Sequence, residues 1–157
     1  MQKKIIIYSI IFFILDLISK VIVNNFVSLT ESITVINNFF YLTNVHNLGA
    51  AWSLFSGQRI LLIVIGIAAL FFIFRWINDF KNNNKNIWAF SLLISGLLGN
   101  LFDRIIYGYV RDFLDFRFGS YNYPVFNLAD TFIFCGVIVL ILAIIKGEEN
   151  GSKSNRK

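Results

Sequence analysis

The chain has one proline, one cysteine and one histidine, and only 15% of its 157 residues are charged. Each scarcity closes off a class of function. A lone cysteine, Cys135, has no partner for an internal disulfide, and its place in an apolar run reads as small-residue filling of a helix contact. The lone histidine, His46, has no evident serine or cysteine nucleophile to serve, which argues against a catalytic triad. One His and one Cys also fall short of the usual zinc ligand sets, and no glycine-rich phosphate motif occurs, so no metal or other cofactor is expected. With 57% apolar residues the composition is too hydrophobic for an ordinary water-soluble domain.

What is abundant fits lipid. Phenylalanine supplies 18 residues, and the windows 4–24, 59–77, 87–107 and 128–146 each approach the roughly 20 apolar residues that a spanning helix needs. The start, Met-Gln-Lys-Lys followed by Ile5 to Leu15, imitates a secretory signal, but no small-residue cleavage site follows and the run continues through Asp16 and Lys20 to Val23. It reads as a retained first helix. Lys3 and Lys4, then Arg75, Lys81 and Lys85, then Lys146, Lys153, Arg156 and Lys157 occupy the segments on one side. By the positive-inside rule that side is cytoplasmic, both termini included. The net charge of +5 therefore reports orientation, and no nucleic-acid partner is expected. Residues 1–157 form a single membrane domain, with a solvated polar link at 78–86 and a charged tail at 147–157 expected to be disordered. Trp52, Trp76 and Trp88 suit interfacial anchoring.

Between the first two spans, Ile33, Val35, Phe39, Tyr41, Thr43 and Val45 give a partly alternating, β-rich pattern that suggests a small outward sheet lying on the membrane. It runs into Asn47-Leu48-Gly49-Ala50-Ala51, which by itself reads as a turn of small residues.

Ionisable residues inside spans are costly, so they are the candidates for function. Asp16 and Lys20 share a helix face and pair, for which a structural role is the simpler reading. Gly96, Gly99, Asn100, Asp103 and Arg104 follow near the outward end of the third span, where a hydrogen-bond network between helices accounts for them without chemistry. Asp112 falls just after that span. Asp130 opens the fourth behind Asn127, Leu128 and Ala129, where N-terminal capping alone would explain it. Capping does not explain why both acids share one depth on the outward side. Two carboxylates held close in a poorly solvated place share one proton; one then takes a proton from water while the other donates to a carbonyl oxygen.

Together, Asp16 with Lys20, Asn47-Leu48-Gly49-Ala50-Ala51, Gly99-Asn100-Leu101-Phe102-Asp103-Arg104, Val110-Arg111-Asp112-Phe113 and Phe126-Asn127-Leu128-Ala129-Asp130 resemble bacterial lipoprotein signal peptidase, also called signal peptidase II. The blocks occur in order and cover nearly the whole chain. The resemblance implies an all-α membrane protein of four transmembrane helices with a small extracytoplasmic β-cradle and a short interfacial helix within 112–126. It implies an aspartic endopeptidase of the bacterial cytoplasmic membrane, working near the extracytoplasmic face, that cuts prolipoproteins just before a diacylglyceryl-cysteine. Asp112 and Asp130 match the family's catalytic pair. Asp16, Lys20, Asn47, Gly99, Asn100, Asp103, Arg104, Asn127 and Ala129 match its supporting and substrate-binding positions. Diacylglyceryl-modified signal peptides and membrane lipids are the implied partners, with the peptide antibiotic globomycin as an inhibitor. Asn44, His46 and Trp52 depart from commoner family residues and bear on substrate preference and on globomycin sensitivity. From the residues alone, a proton-coupled transporter and a noncatalytic scaffold of small-xxx-small surfaces remain open. The first would more often show internal repeats, and the second would tolerate Asp→Asn.

Overall fold

The computed structural model describes residues 1–50 and 54–149. Four helices, α1 (Gln2–Phe26), α2 (Arg59–Trp76), α3 (Asn84–Ile106) and α4 (Leu128–Ile145), are each long and apolar enough to cross a membrane. Their surfaces are inverted relative to a soluble bundle. On α1 the exposed residues include Ile6, Ile7, Ile10, Ile14 and Ile18, while Ser9, Asp16 and Lys20 are buried. Polar groups can be hidden only against other protein groups when the outside is hydrocarbon, so the helix turns them inward.

Helix α3 is the axis of the bundle and touches each of the other three. Its contact with α4 is close because the seam is built of small residues. A Cβ at Gly136 would lie 2.7 Å from Leu93 Cγ and 2.9 Å from the Ala89 carbonyl oxygen, and one at Gly96 would run into the Ala129 carbonyl. Local signals set the helix starts. The Asn83 side chain accepts from Asn86 N at 2.9 Å to begin α3, and Asn127 with Asp130 forms a reciprocal capping box on α4.

The link between α2 and α3 is not the merely solvated loop its asparagines suggest. Ile77–Asp79 make a 3₁₀ turn, Phe80 is buried, and the buried Asn86 donates to Lys81 O at 2.9 Å. The start of the expected tail is held there as well. Lys81 N donates to Glu148 O and Asn83 Nδ2 to Glu148 Oε2, both at 2.9 Å. Residues 150–157, like Ala51 and Trp52, lie outside the described residues.

At the opposite end the chain forms an antiparallel sheet in the order β1 (Ser32–Ile36), β2 (Phe40–Asn47), β3 (Val110–Phe118) and β4 (Tyr121–Asn122). The chain is therefore not strictly all-α. It also corrects the expected interfacial helix within 112–126: residues 110–118, Val-Arg-Asp-Phe-Leu-Asp-Phe-Arg-Phe, alternate apolar and polar from Leu114 to Phe118, are rich in β-favouring aromatic side chains, and pair with β2. The register sets Phe40 opposite Phe116, Leu42 opposite Leu114 and, past a bulge, Val45 opposite Asp112. Val23, Val27 and Phe113 form a small core with Leu42, Leu114 and Leu128, which seats the sheet on the ends of α1 and α4.

Candidate active site

Asp112 lies on β3 and Asp130 in the first turn of α4, and both line a single cleft of about 690 Å³. Asparagines join them. Asn127 Nδ2 donates to Asp112 Oδ1 at 2.6 Å, and Asn47 Nδ2 donates to Asp112 Oδ2 at 2.8 Å. Asp130 accepts from Asn100 Nδ2 at 2.7 Å and from the Asn127 backbone N–H at 3.2 Å. Asn127 Nδ2 also donates to Asn100 Oδ1 at 3.1 Å, so the network closes on itself. The helix cap therefore does more than start α4, since the same asparagine holds both carboxylates.

Apart from Asn47, Thr131 and the Tyr123 hydroxyl, the rest of the cleft is apolar. Phe116 and Phe118 come from β3, Pro124 and Phe126 from the segment before α4, and Phe134 and Cys135 from α4. The only proline of the chain thus sits in the cleft wall. Cys135 is exposed along this wall and not packed between helices as its sequence setting implies. Helix α4 turns Gly136, Leu140 and Ala143 inward, and Cys135 is one position off that face. Burial, and then the negative charge of Asp130, push the Asp112 carboxyl up from 3.8 to about 7, against the donors from Asn47 and Asn127.

A layer of buried charge supports this pair. Lys20 Nζ lies 2.8 Å from Asp16 Oδ2, 3.3 Å from Asp103 Oδ2 and 3.3 Å from Asn100 Oδ1, so a single ammonium links α1 to the residue that holds Asp130. Asp16 Oδ1 accepts the Ala129 N–H at 2.9 Å, and a Cβ at Gly99 would collide with that same carboxylate. Asp103 takes the fork of Arg111, with Nη2 at 2.7 Å and Nε at 3.3 Å, and the Arg111 backbone N–H at 3.1 Å. Asp103 and Arg104 do face different partners, as adjacency on a helix requires. Arg104 Nη2 donates to Gly49 O at 2.8 Å and lies within electrostatic reach of Asp130, Asp112 and Asp103.

Asp112, Asp130 and the expected supporting residues Asp16, Lys20, Asn47, Gly99, Asn100, Asp103, Arg104, Asn127 and Ala129 are thus brought together at one end of the bundle. Asn47 and Gly49 are more than a turn: Gly49 N donates to Asn47 Oδ1 at 2.9 Å, which orients the amide that reaches Asp112. His46 stacks on Tyr109 with ring centroids 3.7 Å apart, and burial, then the charge of Arg111, hold its imidazole below its usual pKa. The role of Arg111 was not legible beforehand, because its pairing with Asp103 spans a turn that no helical or strand period marks.

Fold and cleft define a multi-pass membrane protein whose polar chemistry is gathered under a small sheet. A family model described as signal peptidase (SPase) II matches residues 8–146. The lipoprotein signal peptidase of Francisella tularensis subsp. novicida (strain U112) is 40% identical over 148 residues, covering 90% of this chain and 91% of that protein. That of Staphylococcus carnosus (strain TM300) is 38% identical over 133 residues, 84% of each chain. A solved bacterial membrane enzyme superposes with a TM-score of 0.84 at 34% identity, covering 98% of this chain and 92% of its own. A second gives 0.81 at 35% identity, with 90% and 92% covered. The chain belongs to the signal peptidase II family and is a membrane peptidase.

Proposed function

We propose that the protein removes the signal peptide from lipid-modified prolipoproteins, hydrolysing the amide just before the diacylglyceryl-cysteine with Asp112 and Asp130. The observation that carries this reading is that the two acids line one apolar cleft and are tied together through Asn127. The pair shares one proton and titrates as a unit, with the Asp112 carboxyl raised to about 7 by burial and by the charge of Asp130. The ionised carboxylate takes a proton from water as the water oxygen bonds to the amide carbon. The protonated partner donates to the carbonyl oxygen, giving a tetrahedral diol. Collapse re-forms the carbonyl and breaks the C–N bond, and the leaving nitrogen takes a proton from the pair. The products are a signal peptide with a new carboxylate and the free amine of the lipidated cysteine.

The setting suits that substrate. A signal peptide is an apolar helix that reaches the cleft sideways through the bilayer, while the acyl chains stay in lipid. Lys3, Lys4, Arg75, Lys81, Lys85 and Lys146 lie at the end away from the sheet, which supports cytoplasmic termini and a site near the extracytoplasmic face of the bacterial cytoplasmic membrane. Globomycin is expected to inhibit by occupying the same cleft.

The test is cleavage of a lipid-modified prolipoprotein by purified protein beside Asp112→Asn and Asp130→Asn, each checked for folding. Cleavage by wild type and loss in both variants is the expected result. Full activity in either variant removes the dyad, and an inactive wild type removes the assignment.

A further inference from the structure

We propose that Arg59 is a positioning residue for Asp112, acting through the last turn of α3; this rests on the peptidase reading above. Arg59 is the first residue of α2. Its Nε donates to Arg104 O and its Nη2 to Ile105 O, both at 2.7 Å. Carbonyls in the last turn of a helix have no partner within the helix, so the fork satisfies two of them and fixes where α3 stops. The same guanidinium lies against the turn that follows. Gly108 has φ +88, and a Cβ there would lie 3.3 Å from Arg59 Nη1.

Two routes run from that turn to Asp112. One is the chain itself, Tyr107-Gly108-Tyr109 feeding directly into β3. The other is a series of hydrogen bonds: Arg104 Nη2 to Gly49 O at 2.8 Å, Gly49 N to Asn47 Oδ1 at 2.9 Å, and Asn47 Nδ2 to Asp112 Oδ2 at 2.8 Å. Gly57 N donates to Leu48 O at 3.2 Å, so the connection from β2 to α2 returns on itself and brings Gly49 and Arg59 to the same helix end. Arg59 lines a groove with Gln58, Ile60, Ile63 and Ile105 that shares no lining residue with the acid cleft, so its effect on Asp112 runs through the residues between them. A lysine would offer one ammonium where two carbonyls diverge, so the planar fork is what the position uses.

Removing the fork lets the α3 end relax and weakens the Asn47 donation to Asp112. A carboxylate that loses an N–H donor holds its proton more tightly. The experiment compares wild type, Arg59→Ala and Arg59→Lys, purified into bicelles, with a lipid-modified prolipoprotein; Asp112→Asn serves as the inactive control. Arg59→Ala is expected to lower kcat about tenfold, as for one lost hydrogen bond to a charged group, with KM within about twofold. Its alkaline pH limb moves upward, and Arg59→Lys recovers part of the rate. Adding Arg59→Ala to Asn47→Ala should cost little more than Asn47→Ala alone, because the two lie on one route. Isotope-edited infrared titration of the carboxyl signal that disappears in Asp112→Asn reads the same displacement without substrate, and therefore holds even if cleavage is not the protein's activity. Unchanged kcat and titration in Arg59→Ala, a raised KM with kcat unaltered, or additive effects with Asn47→Ala would each overturn the proposal. If Arg59→Ala does not fold, Arg59→Lys must show the same split in weaker form, and wild-type behaviour there overturns it.

Discussion

Replacing Lys20 by Met isolates what the buried charge layer contributes. Lys20 is 1% exposed, and its ammonium is within ion-pairing distance of both Asp16 and Asp103. After its loss the two acids fare differently. Asp103 keeps the Arg111 fork and the Arg111 backbone N–H, whereas Asp16, fully buried, keeps only the Ala129 N–H at 2.9 Å. A buried carboxylate stripped of its counter-ion costs about 3–5 kcal/mol, so Lys20→Met should lose an amount in that range. Removing the partner as well should return most of it. Asn at position 16 still accepts from Ala129 and carries no charge, so Asp16→Asn in the Lys20→Met background should recover more than half of the loss. The assay is SDS-titrated unfolding in mixed micelles followed by circular dichroism, with the four proteins of the cycle compared at one pH. A Lys20→Met cost below about 1 kcal/mol, or a double variant no more stable than the single, would refute the claim that Asp16 depends on this ammonium.

The rate of cleavage should fall as pH rises through about 7, because the Asp112 carboxyl, raised from 3.8, keeps its proton below that value and loses it above. A kcat/KM profile flat to pH 9 would contradict the shared proton. Asn127→Ala removes the cap of α4 and the bridge between the acids together, for an expected loss of about 2–4 kcal/mol and of activity. Asn127→Ser should regain about 1 kcal/mol of that as a cap without regaining activity, since its hydroxyl does not span the gap to Asp112; chemical unfolding and turnover measured on the same samples separate the two. Gly96→Ala forces a methyl into the Ala129 carbonyl and should cost about 1–3 kcal/mol, read by thermal unfolding, with a matching loss of cleavage because Asp130 rides on the displaced turn.

The spans were legible because a run of apolar residues long enough to cross lipid admits few other readings, and the Asp16–Lys20 pair because a spacing of four is one helical face. The hairpin of β1 and β2 was also legible from its alternation. Only Leu114 to Phe118 alternate apolar and polar within 110–118, a signal too short to stand against the family resemblance, which favoured a surface helix there; the strand forms because it pairs with β2. What could not be read is contact across turns and between faces. Asp103 meets Arg111 eight residues on, through a turn in which Gly108 takes a positive φ. The wall of the cleft was equally hidden, because Phe134 and Cys135 look like any lipid-facing or helix-filling residues when the outside of the protein is as apolar as its inside.

Charge balance gives an independent argument for one proton on the acid pair. Within the site the cations are Lys20, Arg104 and Arg111, and the carboxylates are Asp16, Asp103, Asp112 and Asp130. Asp115 stands apart on the sheet, paired with Arg117 at 2.6 Å and accepting from Thr43 at 3.2 Å. Lys20 and Arg111 account for Asp16 and Asp103, which leaves the half-buried Arg104 alone to face two carboxylates. Uncompensated charge in a poorly solvated region is costly, and a proton from water is the cheapest means of removing it. With one proton on the pair the three cations meet three negative charges. The state in which the site is electrostatically closed is therefore also a state that holds one acid and one base, which is the state the proposed hydrolysis requires.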